Sequence, residues 1–304
     1  MAGAGHDFMF MWSLAYKAYT SVCKDEWVLK NFSPALMIAI SWEETQFNNI
    51  RQTPFNHTDW MKRWTELAPD GKTKVDPVTQ QVPGNHAIGY VQAERDTIDR
   101  WLALNPKICV GLPGFTEDMV FVGTDKGVTV EQRQRRTRWW QNVDEAILKD
   151  DDAGFSLGWR AFSHMHTMKA ASTKAGALKN YGGSNAARDA PGKAVGRTAP
   201  EIIQGWLDTD ACMRAIGGMQ SYQADPSVAM VPAMRIVAGA YYFSRPDGDF
   251  AGGFWGTSRD DARATSRVFD KYLKRGASDS FIPSDKIGAL RADLKANVGI
   301  VEKA

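Results

Sequence analysis

The run from Ser33 to Asn48, SPALMIAISWEETQFN, constrains the fold of this chain more than any other. Ser33 is placed to cap a helix, and Pro34 suits its first turn, where a missing N–H has no partner to lose. At ~100° per residue, Leu36, Met37, Ile40 and Phe47 share one face while Ala35, Ile38, Ala39 and Trp42 cover the other. A helix that is apolar on every side is a buried one. It ends in two adjacent carboxylates, Glu43 and Glu44, which predicts acids standing where an apolar interior meets a cleft. Burial disfavours the charged form of a carboxyl, which is how a glutamate becomes a general acid.

The remaining composition bounds the functional class. At 304 residues with 43% hydrophobic content, the chain can form one large domain or two smaller ones. Lys+Arg 37 against Asp+Glu 35 gives a net charge of only +2, which offers no global attraction for nucleic acid or an anionic membrane. No stretch reaches the ~18–20 apolar residues needed to span a bilayer. Cys23, Cys109 and Cys212 are widely spaced and lack a C-x-x-C pair, so neither a disulfide framework nor a zinc site is expected. Three reduced thiols are the favoured reading, with one bridge and a free thiol as the alternative. The N-terminus lacks a basic region followed by a clean apolar core, so it does not read as a secretory signal.

Along the chain, the pattern predicts a mainly α protein. Helices are expected over about 8–24, over Ser33–Asn48, and after Gln92 through Ile98, Trp101 and Leu102. Residues 49–86 are polar and broken by Pro54, Pro69, Pro77 and Pro83, which predicts a small loop-rich lobe with room for a short β-hairpin around Thr73–Val82. Residues 105–128 read as an irregular insertion. Thr129 opens a helix carrying Trp139, Trp140, Val143 and Ile147, and Phe155, Trp159 and Phe162 begin another that reaches Tyr181. The run 182–197 is a loop by composition. A capping box at Thr198–Glu201 starts the next helix. Pro226–Phe243 reads as a buried helix, Gly248–Gly256 as a hinge, and 258–275 and 284–296 as amphipathic helices. The expected organisation is a single domain over 1–304, with insertions at about 49–86 and 105–128 and a C-terminal helical extension at about 257–304.

Three motifs carry a family resemblance. AISWEETQFN resembles the catalytic helix of the lysozyme-like superfamily, especially lytic transglycosylases and goose-type lysozymes. There the pattern is an apolar helix, Glu-Ser, a variable residue, an aromatic and often Asn; Glu44, Thr45, Phe47 and Asn48 fall on those positions. Ala87-Ile88-Gly89-Tyr90-Val91-Gln92 is similar to the family's Gly-Leu-Met-Gln segment, with Gly89 and Gln92 matching outright. Gly176–Gly183 parallels a helix ending in Tyr-Asn-Ala-Gly, with Tyr181 on the tyrosine. The chain departs from the pattern at Thr45, at Tyr90-Val91 and at Gly182, and the matched positions cover about a tenth of its length.

The resemblance implies a lysozyme-like helical domain that cleaves the β-1,4 bond between N-acetylmuramic acid and N-acetylglucosamine in peptidoglycan, without a cofactor. Glycosidic cleavage needs a proton on the leaving oxygen while positive charge builds on the sugar ring. Glu44 is the expected acid and Glu43 the alternative. Thr45, Gly89, Tyr90, Gln92 and Tyr181 are the expected substrate-binding positions. Asp59, Glu66, Asp70 and Asp76 are candidates for a second carboxylate, which a transglycosylase does not need. Hydrolysis and transglycosylation both remain open, as does a chitin- or chitosan-type glycan. Acting on cell wall without a secretory signal would require a specialised secretion system, phage lysis or a larger parent protein, and a cognate inhibitor is a natural partner. The competing class is a non-catalytic module that binds glycan or protein. His164 and His166, at i, i+2, point to different sides of a helix and do not suggest a metal site. Arg133, Arg135, Arg136 and Arg138 beside Trp139 and Trp140 read as a solvated helix face over buried tryptophans; binding to nucleic acid, to an acidic partner or to wall-peptide carboxylates is the alternative.

Overall fold

The computed structural model describes residues 8–45, 47–51, 87–122, 127–186, 199–216, 235–236, 238–240, 242–243 and 258–298. Helices α1 (Phe8–Ser21), α2 (Glu26–Asn31) and α3 (Pro34–Thr45) come first. Strands β1 (Ile50–Arg51), β2 (Ala87–Gly89) and β3 (Ala93–Glu94) form an antiparallel sheet in the order β1-β2-β3, with Ile50 opposite Gly89 and Ile88 opposite Ala93. Helices α4 (Arg95–Leu104), α5 (Val130–Leu148), α6 (Asp151–Thr167), α7 (Lys174–Ala186) and α8 (Ala199–Ala215) follow. Helix α9 (Arg259–Tyr272), the hairpin β4 (Lys274–Arg275)–β5 (Ser280–Phe281) and α10 (Ile287–Val298) complete the described chain. The protein is thus mainly α, and none of its described helices is long and apolar enough to cross a membrane.

Helix α3 is the axis of the core. Every side chain from Ala35 to Ile40 is fully buried, and the helix packs against α1, α6 and α8. Burying Leu36, Met37, Ile38 and Ile40 removes apolar surface worth about 6–12 kcal/mol from water. That is an upper bound, yet it is comparable to the whole stability of a typical domain, so α3 is the element the others must enclose. Helix α6 approaches it closely at Gly158, where an added Cβ would lie 2.4 Å from Met37 Sδ. Aromatic pairs extend the contact outward: Phe32 stacks on Phe162 at 4.9 Å and Tyr19 meets Trp159 edge-on at 5.5 Å.

The start of α3 is fixed by a buried charge. Ser33, expected to cap through its hydroxyl, is instead held through its N–H, which donates to Asp210 Oδ1 on α8. Asp210 is fully buried, and its other oxygen lies 3.3 Å from Lys174 Nζ, the first residue of α7. Lys174 also reaches Asp279 at 3.1 Å, before β5. One carboxylate therefore joins the beginnings of α3 and α7 to the middle of α8. Burial raises the Asp210 pKa above the usual carboxylate value, and Lys174, the Ser33 N–H and Arg214 only partly reverse the effect.

Several expectations are corrected. The segment expected as one helix from Phe155 to Tyr181 is two, because Lys169 takes a left-handed φ of 56° after α6 and Lys174 starts α7. Helix α7 continues to Ala186, into the stretch read as loop from Gly182. Residues 258–275 hold α9 and then β4. The 105–122 part of the insertion is irregular but pinned from beneath: Arg160 Nη1 donates to Val110 O at 2.7 Å, and Arg136 Nη1 to Phe121 O at 3.2 Å. Arg136 is thus buried rather than on a solvated face, because its guanidinium supplies donors to carbonyls that no ladder satisfies. His164 and His166 do diverge, His164 towards Trp101 of α4 and His166 onto the Trp27 ring of α2 and Asp25, which caps that helix. The three cysteines are buried free thiols; burial pushes Cys23 to about 11 and Cys109 to about 12, which leaves them unreactive. The expected hairpin at Thr73–Val82, the cap at Thr198 and the hinge at Gly248–Gly256 lie outside the described residues.

A carboxyl whose folded pKa lies above its unfolded value favours the folded state below the unfolded pKa and loses that contribution as pH rises through the folded one. Asp210→Asn removes this loss. Relative to wild type, the variant should therefore gain stability as pH rises above the usual carboxylate value of 3.8. Urea unfolding of both proteins across that window checks the sign; a difference that moves the opposite way contradicts it.

Candidate active site

The last turn of α3 passes from core to surface within four residues. Ser41 and Trp42 are buried, Glu44 is exposed, and Thr45 is buried again. Glu43 belongs to α3, but its side chain lies outside the described residues. Beyond the helix the chain turns back sharply at Phe47, whose φ of 64° is left-handed and whose N–H points to Ser41 O at 3.4 Å. A bulky residue resists that conformation. Here the fully buried Phe47 ring offsets the cost by packing edge-on against Trp42 at 5.1 Å. Asn48 closes the turn by donating its amide to Thr45 O at 2.9 Å.

Facing this turn is the tight connection between β2 and β3. Gly89 has φ 83° and Gln92 has φ 51°, so two left-handed residues bracket Tyr90 and Val91. The loop is held by its own carbonyls. Tyr90 O lies 2.9 Å from the Thr45 hydroxyl, Val91 O accepts from the Tyr181 hydroxyl, and Gly89 O accepts from Gln92 Nε2 at 2.8 Å. The structure thus brings Thr45, the 89–92 loop and Tyr181 into one hydrogen-bonded unit. Glu44 adjoins it electrostatically: burial first, and then the Glu44 charge, push the Tyr181 phenol well above its ordinary value. Tyr181 is therefore a neutral hydroxyl whose proton is directed at the loop.

These contacts reassign several residues expected to bind substrate. Thr45 and Tyr90 are buried, and the Tyr90 hydroxyl donates to Asp151 Oδ1 at 2.7 Å, so both shape the site from behind. The open side of Gly89 faces α6, where an added Cβ would lie 2.7 Å from Gly154 O; its missing side chain serves helix packing. The Gln92 amide reaches Gly89 O and, at 3.2 Å, Ile50 O, so it braces the sheet instead of extending to Glu44. Glu44 itself is exposed, whereas the apolar helix had suggested a partly dry acid. Asp59, Glu66, Asp70 and Asp76 lie outside the described residues.

Sequence reasoning missed Asn49 and Arg51. Asn49 Nδ2 donates to Ile147 O at 3.0 Å, satisfying a carbonyl at the end of α5. Arg51 pairs with Glu145 at 2.7 Å, while Arg95 pairs with Asp144 at 2.6 Å and lies over the Trp140 ring at 3.7 Å. Together they fasten the segment after α3, and the sheet beside it, to α5. Asn49 follows Asn48 directly, and only the fold separates their roles. Among the described residues no group of three or more His, Cys, Asp or Glu side chains could hold a metal ion.

Compared with known protein families, curated proteins and solved structures, the chain has no match.

Gly89 offers a direct check on the loop. Gly89→Ala should lose more than the roughly 1–3 kcal/mol that a strained φ costs by itself, because the new methyl also meets Gly154 O. The expected readout is a lower urea midpoint with an unchanged m value. A midpoint equal to that of wild type would contradict the close packing of β2 on α6.

Proposed function

We propose that this protein is a glycosidase that cleaves the β-1,4 bond between N-acetylmuramic acid and N-acetylglucosamine in peptidoglycan, with Glu44 as the general acid. The observation that carries the reading is the convergence of three segments distant in sequence: the end of α3, the 89–92 loop and Tyr181. The same three segments resemble the lysozyme-like superfamily in their residues. In this reading Glu44 donates a proton to the bridging oxygen, and the 89–92 backbone and Tyr181 form the wall against which the sugar lies. Two of the three non-glycine residues with left-handed φ among those described, Phe47 and Gln92, belong to this site. Backbone strain of that kind concentrates where function demands a fixed geometry. A second carboxylate, the substrate's own groups or a water completes the reaction; anhydro ends mark transglycosylation and reducing ends mark hydrolysis.

The exposure of Glu44 favours one other reading, a non-catalytic module that binds glycan through the same surface. Purified protein incubated with cell-wall sacculi separates the two. Soluble muropeptides should appear with wild type and fall by about 10²–10⁴-fold in Glu44→Gln, the usual contribution of general acid catalysis. Equal release from both proteins, or binding without release, contradicts the catalytic role.

A further inference from the structure

A cleft of about 460 Å3 opens between α8, α9, β4 and the Tyr242–Phe243 turn. That volume lies within the about 300–1,000 Å3 typical of small-molecule sites. Its floor is Asp208, a side chain only 3% exposed. One Asp208 oxygen accepts from Gln204 Nε2 at 2.8 Å and Ser280 Oγ at 2.6 Å, and the other from Arg275 Nε at 2.7 Å. Arg275 continues to Asp270 at 3.0 Å, and its guanidinium carbon lies 5.5 Å from the centre of the Phe243 ring. Tyr242 beside it accepts from Arg263 Nε at 2.8 Å, so its own hydroxyl proton is left to donate. The exposed Arg267 completes the wall.

We propose that this cleft is a saccharide-binding site separate from the Glu44 site. Both signs of charge line it, with Arg267 and Arg275 among Glu201, Asp208 and Asp270. A strongly anionic ligand meets the carboxylates and a cationic one meets the guanidiniums. A polyhydroxylated neutral ligand suffers neither penalty, because each hydroxyl can donate to a carboxylate and accept from a neighbouring guanidinium. The Phe243 and Tyr242 rings give apolar surface for the C–H face of a sugar. The network around Asp208 holds these groups before any ligand arrives, which lowers the ordering cost of binding. The inference borrows its ligand class from the function proposed above: a polymer substrate could be gripped here while it is cut elsewhere.

The test is an NMR titration of Glu44→Gln protein, in which turnover is suppressed, with a soluble β-1,4-linked N-acetylglucosamine tetrasaccharide. The expected result is saturable shifts at Gln204, Phe243, Arg267 and Arg275 that added salt does not abolish, since the ligand is neutral. Affinity at the cleft should fall roughly tenfold with a further Arg267→Glu change, the value of one charge-assisted hydrogen bond. Unchanged shifts at Thr45 and Gln92 in that variant would show that the fold is intact. Shifts that never appear in the cleft, that vanish with salt, or that persist undiminished in Arg267→Glu overturn the proposal. The two readings fail separately: cleft binding without muropeptide release from sacculi removes only the catalytic one, and release without cleft binding removes only this one.

Discussion

The complete burial of α3 is the constraint from which the rest of the arrangement follows. A twelve-residue helix with no charged side chain before its last turn can only be stable if other helices enclose it on all sides. Helices α1, α6 and α8 do so, and the bare backbone at Gly158 lets α6 come close enough to touch Met37. A helix held in this way cannot rotate or slide without opening cavities along its length. Its end is therefore a fixed point, and the direction of Glu44 is set by packing several turns away.

Fixing one end of a site is of use only if the other side is fixed too. The 89–92 loop supplies that side through three carbonyls, each with a different side-chain partner: Thr45 from α3, Tyr181 from α7 and Gln92 from the loop itself. Two of the partners belong to helices whose beginnings meet at the Asp210–Lys174 pair. A buried pair of this kind adds little net stability. Its value here is geometric, since it sets α3 and α7 in register at one end while the loop joins them at the other.

What could be read from the sequence follows from which forces are local. The burial of α3, the helices after Gln92 and Thr129, and the irregular character of 105–122 all rest on periodicity and punctuation, and the structure has them. The meeting of Thr45 and Tyr181 at the 89–92 loop follows from no periodicity or punctuation; only the resemblance of the three motifs grouped these positions. Their individual roles were not legible. Whether Gly89 faces a ligand or Gly154, and whether Tyr90 faces a cleft or Asp151, depends on the packing of α6, which no local pattern encodes. The left-handed Phe47 was equally hidden, because a phenylalanine ordinarily signals neither a turn nor strain. Arg136 read as solvated for the same reason: its acceptors, at Leu102 and Phe121, are distant in sequence.

The central claim is that α3 acts as a rigid axis that presents Glu44 to the loop, and native-state hydrogen exchange tests it most directly. Amides exchange with the free energy of the smallest opening that exposes them. The account predicts that the amides of Ile38–Trp42 are among the slowest in the protein and exchange only through global unfolding, with the same denaturant dependence as those in the middle of α6. If α3 instead exchanges through a local opening well below the global free energy, while α6 stays protected, then the helix is not the fixed element and the placement of Glu44 loses its physical basis.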